Sequence, residues 1–273
     1  MKKNYLLEDS DWLKNKYIIE RKSTEEIAKL LGYKKGGTVS EALKKFNIEI
    51  RNKSERRKKE NDFFILNLPV INGSLLGDSF ITKQLTKNGN CGLSKKNINY
   101  DHLLYFSSKI LKFSPEKRIS GPIEPPTNLT VNGKPYYFLN TFKHLELTEL
   151  RKKWYPYDIK IIPRDILLTK ESLLHWFLDD GFSYRFKDKY KNKEYSYVRI
   201  FLCTNGFSKS DLEWICDKLK TEFKLIFTLS KKGLRKDGSQ SYQLKLSQSQ
   251  TNYFFDLIGE CPVDSMKYKW KRV

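Results

Sequence analysis

The chain has 273 residues, of which 39% are apolar, 14% aromatic and 31% charged, enough to bury a sizeable core in one to three domains. Lys and Arg number 52 against 32 Asp and Glu, a formal net charge of +20. That surplus points to a polyanionic partner, above all nucleic acid, because each neutralised phosphate releases a condensed counterion; no run of membrane-spanning length and no lipidation motif supports a membrane partner.

The opening MKKNYLLEDSDW turns acidic before an apolar h-region forms, so no secretory signal is expected. Residues 10–50 read as three short helices. In SDWLKNKYIIERK, Ser10 is the expected N-cap and Leu13, Tyr17 and Ile18 form an apolar stripe. In STEEIAKLLG, Ser23 and Glu26 make a capping box, Ile27, Leu30 and Leu31 face inward, and Gly32 stops the helix. After YKKGG, the segment TVSEALKKFNI turns Val39, Leu43 and Phe46 inward. Two short helices joined by a Gly-containing turn, the second one basic, resemble a helix-turn-helix module over 1–50. Thr38, Ser40, Lys44 and Lys45 then lie on or beside its DNA-facing surface; a plain three-helix packing unit is the competing reading. RNKSERRKKE carries six basic and two acidic residues and reads as a solvated basic linker, 51–63.

From residue 64 the pattern repeats. LPVINGSLLG leads into Asp78, a strand pair follows around 79–98, then an amphipathic helix at 101–113, strand near 129–143 and a helix at 147–154. KESLLHWFLD leads into Asp180, followed by strands at 181–187 and 195–204, a helix at 209–222, strands at 224–231 and 240–247, and a helix at 250–258. The middle helices superpose at a spacing of 109, Leu103 on Leu212, Phe106 on Ile215 and Ile110 on Leu219. The expected fold is α+β, two pseudo-symmetric αββαββα halves at 64–165 and 166–273, beside the small all-α domain.

Each half opens with an apolar helix whose last turn presents an aspartate. The helix dipole disfavours an anion there, so its recurrence in matched contexts points to a bound divalent cation, for which carboxylates and terminal carbonyls are hard oxygen ligands. Two such helices side by side would bring two acids together, and like charges at close range demand metal or protonation. Single acids after buried helices are common, so the repetition carries the argument. Ile71–Ser79 and Leu173–Gly181, with LTELRKKWYP…IIP between them and SMKYKW near the end, resemble the LAGLIDADG homing endonucleases.

The resemblance implies a single-chain, monomeric enzyme with antiparallel sheets forming a saddle on double-stranded DNA. It implies Asp78 and Asp180 as Mg²⁺ (or Mn²⁺) ligands, aided by the carbonyls of Gly77 and Asp179. Gly73 and His175 would take the close-approach position between the helices, where His175 departs from the usual small residue; Ser79 departs from the final glycine. A lysine before I-I-P and another after M-x-Y are implied at Lys160 and Lys269, at similar spacings from the acids (82 and 89 residues). Chance placement in a lysine-rich chain competes with that assignment.

Base readout is expected from outward strand residues: Thr82, Gln84 and Thr86 in the first half, Arg185 and Lys187 in the second, with Phe182, Tyr184 and Phe186 as packing. Four scattered cysteines without a CxxC and three dispersed histidines argue for a reduced, intracellular chain whose chemistry rests on carboxylates. The alternatives are a maturase-like protein that binds its host intron RNA, or a DNA-binding regulator with an inactive nuclease body; retention of both acids favours cleavage.

Overall fold

The computed structural model describes residues 4–20, 22–50, 65–84, 89–112, 115–124, 134–190, 193–235 and 237–272. The basic linker 51–63 and Thr86 lie outside the described residues. The chain divides into two compact units, Met1–Glu60 and Asn61–Val273.

In the first unit, α1 (Ser10–Lys14) continues through a π turn to Ile19, followed by α2 (Thr24–Leu30) and α3 (Gly37–Lys45). Its core is Leu7, Leu13, Tyr17, Ile27, Ala28, Leu31, Val39, Leu43 and Ile48. The Ser23–Glu26 capping box forms as expected, and Gly32 takes a left-handed φ of 80° after α2. Three local expectations change. The N-cap of α1 is Asp9, whose carboxylate accepts from the Asp11 and Trp12 amides, because a carboxylate reaches both orphan donors. Ile18 and Leu30 are exposed, at 56% and 53%. Ile18 sits in the π turn, where the wider pitch rotates it off the core stripe.

The second unit contains, in order, α4 (Leu68–Leu76), β1 (Phe80–Ile81), β2 (Leu93–Asn97), α5 (Tyr100–Ile110), β3 (Ile119–Ile123), β4 (Tyr136–Asn140) and α6 (Leu145–Trp154). Then come α7 (Lys170–Asp180), β5 (Gly181–Tyr190), β6 (Lys193–Cys203), α8 (Lys209–Phe223), β7 (Phe227–Leu234), β8 (Gln240–Leu246) and α9 (Thr251–Ile258). The order αββαββα therefore occurs twice. Each half builds a four-stranded antiparallel sheet of the same topology, β1-β2-β4-β3 and β5-β6-β8-β7. All six superposed residues of α5 and α8 are fully buried.

The first half departs from expectation around β3, which lies at Ile119–Ile123, upstream of the expected strand near 129–143. Gly121 and Pro122 disguise it: proline cannot donate to a ladder, and this strand escapes that penalty by sitting at the sheet edge with a register shift. The helix expected at 147–154 begins at Leu145, its first turn capped by the His144 side chain.

Every residue from Val70 to Leu76 in α4 and from Ser172 to Leu178 in α7 is buried. A helix apolar around its whole circumference belongs at the centre of a fold, and these two pack on each other there. One hydrophobic core joins both halves through them, from Val70, Ile71 and Leu75 to Trp176, Phe177 and Leu178. Among the described residues no helix is long and apolar enough to cross a membrane.

Candidate active site

The approach of α4 to α7 brings the last turns of both helices, and hence three carboxylates, into one place. A Cβ on Gly73 would lie 2.2 Å from the Ser172 carbonyl oxygen, and one on Gly77 would lie 2.4 Å from the Asp179 Cβ. The expected pairing of Gly73 with His175 is thus corrected: Ser172 backbone fills that place. His175 stacks on Tyr105 with centroids 5.5 Å apart and meets the edge of Phe106, both on α5. Burial holds the His175 pKa down to about 3, so the ring is neutral.

Helix α4 ends at Leu76, with Gly77 its C-cap, so Asp78 stands just beyond the helix; Asp180 is the last residue of α7. Asp78 keeps a solvent-facing edge, yet the surrounding protein desolvates its carboxyl and, with Asp179, raises its pKa to about 6. Desolvation, then Asp78 and Asp179, raise that of Asp180 to about 7. The site holds two acids that, in the absence of another cation, keep their protons to about pH 6 and about pH 7, well above an ordinary carboxylate.

Asp179 behaves oppositely. Its side chain is fully buried, and desolvation alone would raise its pKa, yet the Lys95 ammonium, 2.5 Å from Oδ1, and His102 together outweigh that and hold the carboxyl well below the usual range. His102 Nε2 lies 3.1 Å from the same oxygen. The other oxygen, Oδ2, accepts from Ser74 Oγ (2.8 Å) and from the Asp78 amide (3.3 Å). The motif implies only the Asp179 carbonyl; neither this carboxylate network nor Lys95 is evident from it. A seventh-position aspartate opposite a seventh-position glycine was the signal available; Lys95 alternates with Leu93 on the inner face of β2, yet reads as one more surface lysine.

Lys160 and Lys269 reach the two helix ends in matching fashion. Lys160 Nζ donates to the carbonyls of Ser79 (3.1 Å) and Gly77 (3.4 Å). Lys269 Nζ donates to those of Leu178 (2.6 Å), Asp179 (3.0 Å) and Phe177 (3.4 Å). Cations at helix C-termini are favoured by the dipole, which explains the placement locally. Packed neighbours hold each lysine: buried Ile162 and Pro163 follow Lys160, and buried Met266 with half-buried Trp270 bracket Lys269, the indole meeting Phe177 edge-on at 5.0 Å. Burial lowers the Lys160 pKa to about 8 against the pull of Asp180, Asp179 and Asp78. It lowers that of Lys269 too.

The profile of the LAGLIDADG DNA endonuclease family matches residues 68–254, from the first helix to the last of the duplicated fold. The chain belongs to this family. An uncharacterised protein of Methanocaldococcus jannaschii is 32% identical over 259 residues, spanning 90% of this chain and 89% of its own. The probable intron-encoded endonuclease 1 of Wickerhamomyces canadensis is 26% identical over 208 residues, 72% of this chain and 80% of its own. The homing endonuclease I-WcaI, solved bound to its DNA recognition sequence, superposes with a TM-score of 0.62 at 22% identity over 84% of this chain and 98% of that one, which shows a shared fold.

The LAGLIDADG fold leaves the outer face of each sheet free of the core, and there the expected strand residues need correction. Thr82 falls beyond β1, and its hydroxyl accepts from the Gly92 amide at 3.0 Å. Gln84 is exposed but donates to the Gly89 carbonyl at 2.7 Å. In β5, Arg185 pairs with Val198 and Lys187 with Ser196, on the face that turns inward at Val198, Ile200 and Leu202. Arg185 donates to the Arg272 carbonyl at 2.8 Å. The outer face carries Phe182, Tyr184 and Phe186 with Tyr197, Arg199 and Phe201, stacked at 4.9 Å (Phe182 on Phe201) and 5.2 Å (Phe186 on Tyr197). These aromatics pack on one another, outside the central core. In the first unit Thr38, Lys44 and Lys45 are exposed, whereas Ser40 is half-buried and donates to the Gly36 carbonyl at 3.1 Å.

Proposed function

We propose that the chain is a site-specific endonuclease that hydrolyses both strands of a long, asymmetric DNA target with divalent metal, Mg²⁺ or Mn²⁺, at Asp78 and Asp180. The observation that supports it most is two aspartates with raised pKa values at the ends of packed, pseudo-symmetric helices, each beside a lysine. The donor set fits a hard cation: two carboxylates and the neighbouring carbonyls of Gly77 and Asp179. Among the described residues no cluster of three His, Cys, Asp or Glu side chains stands apart as a closed metal cage. Open ligand positions suit DNA phosphate and water. Bound there, the metal supplies a Lewis acid and an activated water for phosphodiester hydrolysis.

The chain's own residues then do three things. Asp78 and Asp180 hold negative charge at the scissile phosphates once a cation relieves their repulsion. Lys160 and Lys269, pinned to the helix ends, present positive charge where the transition state gains negative charge. With burial favouring its neutral form, Lys160 can also exchange a proton near neutral pH. The outer sheet faces, with Arg199, Lys245 of β8 (which pairs with Phe201) and the aromatic shelf in the second half, meet the grooves, and residues 1–50 add a helix-turn-helix contact through Thr38, Lys44 and Lys45. The unlike halves imply an asymmetric target. The test is incubation of the full chain with a plasmid library of randomised inserts: linearised, sequence-selected product with Mg²⁺ and none with EDTA is expected, and no selected product with either Mg²⁺ or Mn²⁺ rejects the reading.

A further inference from the structure

The Lys95–Asp179 pair occurs once in a fold built twice. The register Phe80↔Ser94 in the first sheet corresponds to Phe182↔Phe201 in the second, so Lys95 corresponds to Leu202. Since Asp78 corresponds to Asp180, Asp179 corresponds to Gly77. Leu202 is plain core and Gly77 has no side chain, so the second centre lacks an equivalent of the pair.

The pair is fully used. Lys95 Nζ donates to Asp179 Oδ1 (2.5 Å) and Ser74 Oγ (2.9 Å) and lies 4.4 Å from the centre of the Phe106 ring. Ser74 donates its single proton to Asp179 Oδ2, so in the 2.6 Å contact between Ser74 and Ser79 the proton comes from Ser79. Both charged side chains are 0% exposed. A buried ion pair is a weak source of stability compared with apolar side chains of the same volume, and its best-attested use is to fix one arrangement among several. Here the arrangement fixed is the chain at Asp78: Asp179, from the other half, accepts the Asp78 amide across the helix interface.

We propose that Lys95 and Asp179 are positioning residues for the first centre alone, holding the Asp78 backbone from the opposite half. The two centres are then unequally preorganised, and the strand served by Asp78 is cut first. This rests on the reading of Asp78 and Asp180 as the two metal-binding acids, but half of its test does not.

In the metal-free full chain, hydrogen exchange at the Asp78 amide is compared among the parent, Lys95→Met/Asp179→Asn, which keeps an acceptor oxygen, and Lys95→Met/Asp179→Leu, which has none. Protection falls by about tenfold or more in the leucine variant and stays within about threefold in the asparagine variant, the Leu212 amide of α8 serving as a fold control in both. Equal Asp78 protection in the parent and the leucine variant overturns the proposal. Strand-resolved cleavage with Mg²⁺ gives the second readout, the strand belonging to each centre being assigned from the nick left by Asp78→Asn and Asp180→Asn. The parent cuts the Asp78 strand about threefold or more ahead of the other, and the leucine variant reverses that order, as expected where misplacement costs a centre its alignment. Equal strand rates in the parent overturn the proposal without any variant, so it stays decidable if the leucine variant fails to fold. Should the parent cut no DNA, the metal-binding reading fails while the exchange result still decides the positioning claim.

Discussion

Gly77 and Asp179 occupy the same position in their respective motifs and face each other so closely that a methyl on the glycine would sit 2.4 Å from the aspartate Cβ. The glycine is the space that admits the carboxylate. Gly77→Ala must therefore push α4 off α7 or displace Asp179 from Lys95. A drop in Tm of about 4 °C or more is expected from overpacking of this size. Gly206→Ala, where an added Cβ meets nothing within 4 Å, is the control and should leave Tm within about 1 °C.

If Asp78 and Asp180 hold the metal rather than touch bases, Asp78→Asn and Asp180→Asn should each abolish double-strand cleavage while binding of the target in Ca²⁺ or EDTA changes little. The same variants should gain Tm in metal-free buffer at pH 8, by about 2 °C each, the modest size reflecting solvent screening at these part-exposed carboxyls. Cleavage of both strands by either variant at the parental rate would sink the assignment.

Stability of the metal-free protein should depend on pH in a window set by these acids. Their folded pKa values, about 6 and about 7, lie above the unfolded value, so the folded state binds extra protons between pH ~4 and ~7. Their contribution is present below the unfolded pKa and is lost as pH rises through 6 to 7. Asp179, lowered, stays ionised throughout that range and adds no slope. Buried His175 and His102, both lowered, add the opposite slope below the ordinary histidine value, so the decline of Tm in EDTA should be read from about pH 6.5 to pH 8, and Asp78→Asn/Asp180→Asn should flatten it.

If Lys160 and Lys269 stabilise charge at the two centres, Lys→Met at either should slow cleavage by roughly two to four orders of magnitude. Supercoiled plasmid should pass through open circles, nicked on one strand by Lys160→Met and on the other by Lys269→Met. Linear product at the parental rate from both variants would leave the lysines as helix-end caps and nothing more.

Removal of residues 1–60 should weaken binding and shorten the footprint on one side without moving the cut. The segment folds as its own unit and carries 17 basic and 10 acidic residues up to position 61, but none of the paired acids. The slope of log affinity against log salt should flatten by about one for each phosphate that the shortened chain no longer neutralises. Unchanged affinity and footprint at physiological salt would separate the module from DNA recognition.

The duplication, the motif helices and the second-half elements were legible because their apolar periodicity is undisturbed. β3 was not, because Gly121 and Pro122 contradict strand propensity at an edge that tolerates them. Repetition alone points to the paired acids, whereas Lys160 and Lys269 are implied by the family resemblance, at similar spacings from them. Lys95 could not: one buried ammonium is invisible in a chain with 52 Lys and Arg, and only the fold shows that β2 turns it towards a carboxylate eighty-four residues away. Alternation along β5 identifies two faces without saying which one meets the core; Arg185 and Lys187 are exposed, but the pairing of Arg185 with buried Val198 puts them on the face that becomes core further along the strand.

The single ion pair also makes the halves chemically incapable of replacing each other. Two copies of the second half, joined as the halves are here, would set Asp179 against Asp179 with Leu202 where each carboxylate needs an ammonium. Two copies of the first would set Gly77 against Gly77, leaving a void and two stranded Lys95 charges. Fragments separated between α6 and α7 should therefore prefer the unlike half to their own kind, so that co-expression yields a heterodimer even though the backbone of each half has the symmetry to form a homodimer.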